Sequence, residues 1–331
     1  MLSKPIPLSH PKTPPNPTPP ALRPRIVSLL PSATEIVCAL GFREALVGRS
    51  HECDFPAGVE ALPICTEPRV HPAGTSPEIH REVTALLQQA VSLYELRLDA
   101  LARLAPDVIV TQTQCDVCAV TLADVERGVR EVFGSEGARP RLVSLEPTRL
   151  DAVWADFARV AAALAVPERG QALVAGLKRR MAALSSRAVA RRPRPRVAVL
   201  EWLDPPMAGG NWMPELVRLA GGENLFGTAG EHSPWLEWDA LRAADPDVLL
   251  VVPCGFSLAK TREDSRALTQ RPGWTDLKAV RAGRVALADG HQYFNRSGPR
   301  LAESLEILAE VLHPGHLAFG HEGRGWEWMR G

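Results

Sequence analysis

Short apolar runs alternate with amphipathic stretches from Arg25 onward, as in "RIVSLL", "ATEIVCALG" and "ALVGRS". A strand-length apolar run followed by a helix-period stretch, repeated along the chain, predicts an α/β architecture with parallel strands. The chain also resembles itself. "LDALARLAPDVIV" (98–110) and "WDALRAADPDVLLV" (238–251) both place Asp, Ala and Leu at a helix start and Pro-Asp-Val at the start of a strand. "PRIVSLLPSATEIVCALG" opens the first half, and "PRVAVLEW" with "PELVRLAGG" opens the second in the same order. These repeats predict two similar lobes of parallel sheet and helices, an N-terminal lobe over 25–150 and a C-terminal lobe over 196–315, with a tail over 316–331.

Residues 151–195 read as a connecting helical segment. Within it, "PERGQALVAGLKRRMAALSSRAVA" (167–190) carries Leu, Val and Met at helical spacing behind a proline suited to a first turn. At 1.5 Å per residue this helix spans about 35 Å, enough to cross both lobes as one rigid element. Two lobes joined this way leave a cleft, and ligands of open α/β sheets sit beyond the carboxyl ends of the strands.

The loops after the strands therefore hold the candidate site. They carry His51, Glu52, Cys53 and Asp54 after "LVGRS", and Gln114, Cys115 and Cys118 after "DVIVTQT". Trp202, Asn211 and Trp212 follow "VAVLE", Cys254 and Phe256 follow "DVLLVVP", and Tyr293, Phe294 and Asn295 follow "RVALAD". Aromatic faces with a few directed polar groups suit a broad apolar ligand, so His51, Glu52, Gln114, Cys115, Trp202, Asn211, Trp212, Phe256, Tyr293, Phe294 and Asn295 are the expected ligand-binding residues. His51 is either a hydrogen-bonded loop histidine beside Glu52 or a nitrogen donor to a metal. A single C-x-x-C is a weak metal signal, but Cys53, Cys115, Cys118 and Cys254 fall at one end of the sheets and could together hold zinc or an iron-sulfur cluster. Ser32 and Glu35 have capping-box spacing, which gives Glu35 a structural role.

Composition narrows the partners. At 331 residues and 45% hydrophobic content the chain can fill two cores. Lys plus Arg balances Asp plus Glu at 38 each, which leaves no basic face for nucleic acid. No run approaches the roughly 20 apolar residues of a membrane span. Residues 1–24 hold nine prolines and no continuous apolar core of the signal-peptide kind, which predicts a disordered arm and a cytoplasmic location. In that compartment the six cysteines are expected as thiols.

"RIVSLLPSATEIVCALG", "VGRSHECDFP", "LARLAPDVIVTQ", "VAVLEWLDPPMAGGNWMPELVRLAGGENL" and "DGHQYFNRSGPRLAESLEILAEVLHP" together resemble the helical-backbone substrate-binding proteins, in particular their cobalamin-binding branch, over roughly 25–314. The resemblance implies a binding protein rather than an enzyme, with cobalamin or a related corrinoid or metal chelate in the cleft. It also implies docking to an ABC permease through one acidic residue of each lobe, matching Asp99 and Asp239. Read from the residues alone, each of these aspartates is a helix N-cap, and a permease is out of reach of a cytoplasmic chain. The rival expectation is a metal- or iron-sulfur-containing redox protein or enzyme using Cys53, Cys115, Cys118 and Cys254, although no trio of nucleophile, base and orienting group can be named.

Overall fold

Four parallel strands form the sheet of the first lobe, in the order β2 (Leu46–Arg49), β1 (Ile26–Ser28), β5 (Val108–Gln112), β6 (Arg141–Leu145). The structure is a computed structural model and describes residues 24–71, 73–89, 93–113, 120–134 and 139–330. All but Pro24 of the expected proline-rich arm, 1–24, lies outside the described residues, as do Gln114, Cys115 and Cys118. Every residue of β5 is buried, as expected of a central parallel strand covered on both faces. The covering helices are α1 (Pro31–Ala39), α3 (Leu98–Leu104), α4 (Leu122–Phe133) and α5 (Leu150–Ala163). An antiparallel pair, β3 (Thr66–Pro68) and β4 (Tyr94–Leu96), frames an arm that carries α2 (Ser76–Gln88). This helix starts with a capping box between Thr75 and Glu78 and buries only Ser76 and Ile79.

The helix α6 (Pro167–Val189) follows with a proline in its first turn, and its Met181, Leu184 and Ala188 join a hydrophobic core that includes Ile26 and Phe157 of the first lobe and Val197 and Leu305 of the second. That shared core makes the connection rigid rather than hinged by a loose linker. The second lobe contains β7 (Arg196–Leu203), β8 (Pro206–Ala208), α7 (Met213–Leu219), β9 (Glu223–Asn224), α8 (Trp238–Ala244), β10 (Val248–Val251), α9 (Leu258–Asp264), α10 (Lys278–Arg281), β11 (Val285–Ala288), α11 (Leu301–Leu312) and β12 (Trp326–Trp328). Its sheet runs β12-β11-β10-β7-β8, with β9 also on β7. The pairings β7–β10, β10–β11 and β7–β9 are parallel, whereas β8 and β12 are antiparallel additions that the run of apolar segments did not predict. β12 belongs to the tail over 316–331, which Glu310 anchors by accepting from the backbone N–H of Gly320 at 2.7 Å and from Trp326 Nε1 at 2.6 Å.

The internal repeat is built twice in the same way. Arg25 N–H donates to Asp107 Oδ2 at 2.7 Å, and Arg196 N–H donates to Asp247 Oδ2 at 2.8 Å. In each lobe the Pro-Asp-Val aspartate thus pins the first strand of the sheet to the strand it opens. Both preceding helices, α3 and α8, have seven residues and end on a residue in the left-handed region, Ala105 at φ 38° and Asp245 at φ 42°. The N-caps are Arg97 and Glu237, so Asp99 and Asp239 are not caps but exposed first-turn residues, paired with Arg103 at 2.9 Å and Arg242 at 3.1 Å.

Candidate functional site: the interlobe cleft

The loop after β2 is held open for contact by Arg49, whose guanidinium donates to the carbonyls of Ser50 at 2.9 Å, His51 at 3.1 Å and Glu60 at 2.8 Å. It presents Asp54 to the second lobe. There Asp54 accepts from Arg296 Nη1 at 2.7 Å and Gln292 Nε2 at 2.5 Å, and its Oδ2 lies 2.8 Å from His291 Nε2. Burial alone would raise the Asp54 carboxyl, but the hydrogen bonds of His291 and Arg296 outweigh it and hold the group well below the usual carboxylate range. Glu35 completes the cluster from α1, accepting from Arg300 Nη2 at 2.6 Å and from Arg296 Nη1 at 3.3 Å. Glu35, Arg296 and Arg300 are all buried. Gly298 permits this approach, because a Cβ there would stand 2.9 Å from Glu35 Oε2. The Arg300 guanidinium also lies over the rings of Phe55, at 4.0 Å, and Tyr293, at 5.6 Å.

A second set of contacts joins the lobes at the α2 arm. Lys260 of α9 donates to the carbonyls of Gly74 at 2.5 Å and Ala73 at 3.2 Å. Ser76 binds Asp264 through its backbone N–H at 3.3 Å and through its hydroxyl, and His80 meets the ring of Trp235 edge-on at 5.3 Å. The two sets join the lobes at separate places, one through the loop after β2 and one through the α2 arm. On the first lobe, His51 and Glu52 precede Asp54 in that loop, and His51 Nδ1 lies 2.8 Å from Thr66 Oγ1 at the base of the arm. On the second, the ring of Phe256 sits under Lys260 at 4.5 Å and its carbonyl accepts from His291 N–H at 3.0 Å. Trp202 packs on Phe256 at 5.3 Å.

The expected site residues divide accordingly. His51 and Glu52 are half-buried in the loop that reaches the second lobe through Asp54, and on the second lobe the half-buried Trp202 packs on the buried Phe256. Trp212 and Phe294 are instead buried in the core, where Trp212 Nε1 donates to Phe294 O at 2.7 Å. Phe294 holds φ 61°, uncommon for a bulky residue, and its N–H donates to Ser304 Oγ at 2.9 Å, so it shapes the loop rather than facing a ligand. Asn295 braces the same loop through Gly290 O at 3.0 Å. Asn211 turns the β8–α7 connection at φ 49°, its N–H donating to Glu231 O at 2.7 Å. Tyr293 stands behind Arg300, edge-on to His321 at 6.1 Å. The spacing of Ser32 and Glu35 gives no capping box, since α1 starts at Pro31 with Leu30 as its N-cap.

Two of the four thiols expected to hold a metal, Cys115 and Cys118, lie outside the described residues, and among the described residues no group of three or more His, Cys, Asp or Glu is placed to hold a metal ion. Cys53 is buried, accepts from Thr34 Oγ1 at 3.0 Å, and burial pushes its thiol up to about 11. Burial lowers the imidazole of His51 and keeps it neutral, while burial raises the Glu52 carboxyl against the pull of His291 and Arg296. Glu201, one position before Trp202, is buried with Oε2 accepting from Ser233 Oγ at 2.5 Å, and burial pushes its carboxyl up to about 7. Sequence reasoning named Asp54 in its loop without a role, gave Glu35 a capping role, and missed Lys260, His291, Gln292, Arg296 and Arg300. Four of them stand in "GHQYFNRSGPR", where the aromatic residues drew the attention, and their charge density was the available signal.

A family model described as periplasmic binding protein matches residues 26–291. An uncharacterized ABC transporter substrate-binding lipoprotein of Bacillus subtilis is 23% identical over 297 residues, 88% of this chain and 80% of that protein. The vitamin B12-binding protein of Photorhabdus laumondii is 22% identical over 294 residues, 87% of this chain and 88% of that protein. Among solved structures, a periplasmic heme-binding protein of Roseiflexus superposes with TM-score 0.65 at 25% identity, covering 88% of this chain and 98% of that one. The periplasmic vitamin B12-binding protein of Vibrio cholerae superposes with TM-score 0.61 at 20% identity, covering 87% of this chain and 96% of that one.

Proposed function

The chain belongs to the periplasmic binding protein family, and from that premise we propose that it binds cobalamin or a related corrinoid between the lobes. The family's members bind small molecules for ABC permeases, so the chain is a ligand-binding protein and not an enzyme. The observation that supports the ligand is the make-up of the loops by which the lobes meet: an aromatic pair, Trp202 with Phe256, belongs to one lobe, and the polar His51 and Glu52, beside the lobe-bridging Asp54, belong to the other. A corrin offers a broad apolar face and a rim of amides, which such a surface matches. The vitamin B12-binding relative supports this reading.

Heme is the competing cargo, since several similar structures are of heme-binding proteins. Its propionates call for cations. Arg296 and Arg300 already pair with Asp54 and Glu35, so taking up propionates would mean stripping a half-buried and a buried carboxylate of their partners. That balance favours a ligand with neutral amides. Asp99 and Asp239, exposed and equivalent in the repeat, are the proposed permease contacts.

Equilibrium filtration with cyanocobalamin, cobinamide and hemin tests the ligand. Corrinoids retained with one-to-one stoichiometry, and hemin passing through, is the expected result. Retention of hemin with passage of both corrinoids would replace this reading by an iron-porphyrin one.

A further inference from the structure

His51 has a hydrogen-bond pattern that the corrinoid reading does not by itself require. Its Nδ1 lies 2.8 Å from Thr66 Oγ1, and its own backbone N–H donates to the same oxygen at 3.1 Å. Thr66 spends its single hydroxyl proton on Ser50 Oγ, at 3.1 Å. Nδ1 is thus tethered to Thr66 and Nε2 has no hydrogen-bond partner among the described residues; the tautomer in which Nδ1 donates to Thr66 leaves Nε2 its lone pair. A histidine that gives one ring N–H to a fixed oxygen and keeps the other nitrogen bare is arranged as metal-ligating histidines are, with tautomer and ring plane set by the partner behind it. The ring plane is further held by Tyr94, its centroid 5.5 Å away, on the strand at the base of the α2 arm.

Its place in the fold matters equally. Along the chain, His51 stands three positions before Asp54, which meets His291 and Arg296 of the second lobe. Through Thr66 and Tyr94 the ring joins the base of the arm whose tip, Gly74 and Ser76, meets Lys260 and Asp264. The imidazole thus links the loop and the arm that make the two sets of interlobe contacts. Other donors nearby are committed: His291 Nε2 to Asp54 at 2.8 Å, and the buried Cys53 thiol to Thr34 at 3.0 Å.

We propose that His51 Nε2 is the axial nitrogen ligand to the metal of the bound chelate, so that the protein takes a cobalt corrinoid with one axial position open to imidazole. This rests on the corrinoid reading above. Binding forms one Nε2–cobalt bond and displaces a water or the corrinoid's own base from that face, with no change of oxidation state.

Electron paramagnetic resonance of cob(II)inamide, which carries no nucleotide base, tests it with the full chain. On binding to the wild type, each high-field cobalt line should split into a nitrogen triplet, and the triplet should become a doublet when the protein is labelled with the heavy nitrogen isotope in histidine. The His51→Ala variant should lose the splitting and bind cobinamide at least tenfold more weakly. Thr66→Val, which keeps the ring and removes its partner, should keep the splitting with weakened retention, and it serves if His51→Ala fails to fold. Retention of cobinamide by the wild type without nitrogen splitting overturns the role of His51 and leaves the corrinoid reading intact. Splitting that persists in a folded His51→Ala also overturns it. No retention by the wild type overturns both.

Discussion

Glu35 and Arg300 are 265 positions apart in the chain, one on each lobe, and their charged groups meet at 2.6 Å with both residues buried. Arg296 joins the same carboxylate at 3.3 Å, so removing the charge of Glu35 leaves two buried guanidinium groups short of a partner. Breaking a buried pair from one side costs about 3 kcal/mol or more. Glu35→Gln, which keeps the shape, is expected to lower unfolding free energy by that amount in denaturant titration. A change below about 1 kcal/mol, the size expected for a cap residue, would contradict the interlobe role.

Asp99 and Asp239 are exposed, their side chains retaining 57% and 88% of their accessibility, and their arginine partners are exposed as well. Such pairs contribute little, so Asp99→Ala and Asp239→Ala should each change stability by less than about 0.5 kcal/mol. Thermal melting checks this. If these residues dock on a permease, the double variant should bind ligand as the wild type does and lose stimulation of the transporter's ATPase in reconstituted vesicles.

The α/β class, the duplication and the long helix were legible because each rests on local periodicity or on direct repetition, as in Asp107 and Asp247. The cleft was legible only in outline. Trp202 and Trp212 look alike in sequence, each an aromatic residue following the apolar run "VAVLE", yet Trp202 is part of β7 and packs on Phe256 while Trp212 is enclosed in the core under Phe294 O. What separates them is long-range packing, which no spacing encodes. Glu35 was misread for the same reason: Ser32 and Glu35 satisfy a local rule, but a partner 265 residues away captures the carboxylate.

Trp212→Phe tests that division. The substitution removes the indole N–H from the buried Phe294 carbonyl and leaves an acceptor unsatisfied, which costs about 2 kcal/mol. Stability should fall by that order in denaturant titration while ligand affinity stays nearly unchanged. Lost affinity at unchanged stability would return Trp212 to the cleft.

Glu201 sets a pH dependence. Burial, only partly offset by Ser233 and Gly210, raises its carboxyl from 4.5 to about 7, so the folded chain holds a proton there that the unfolded chain has released. Stability from this group is full below pH 4.5 and declines as pH rises toward about 7, by an amount on the order of 3 kcal/mol. Above that both states are ionised and the slope vanishes. In urea unfolding between pH 5 and pH 8, Glu201→Gln should remove this decline and be the more stable protein at pH 8. Parallel pH profiles for the two proteins would contradict the assignment.

The most direct measurement is a calorimetric titration of aquocobalamin into the wild type and into Phe256→Ala. Phe256 is buried against Trp202 and under Lys260, so its truncation is expected to cost about 3 kcal/mol of stability as well, and the comparison is made on a variant shown to be folded by thermal melting. The expected result is one-to-one binding by the wild type at micromolar concentration or tighter and a loss of about tenfold or more in the variant, the value of one lost aromatic contact. Absence of binding by the wild type at tens of micromolar, or equal affinity in a folded variant, would contradict corrinoid binding between the lobes.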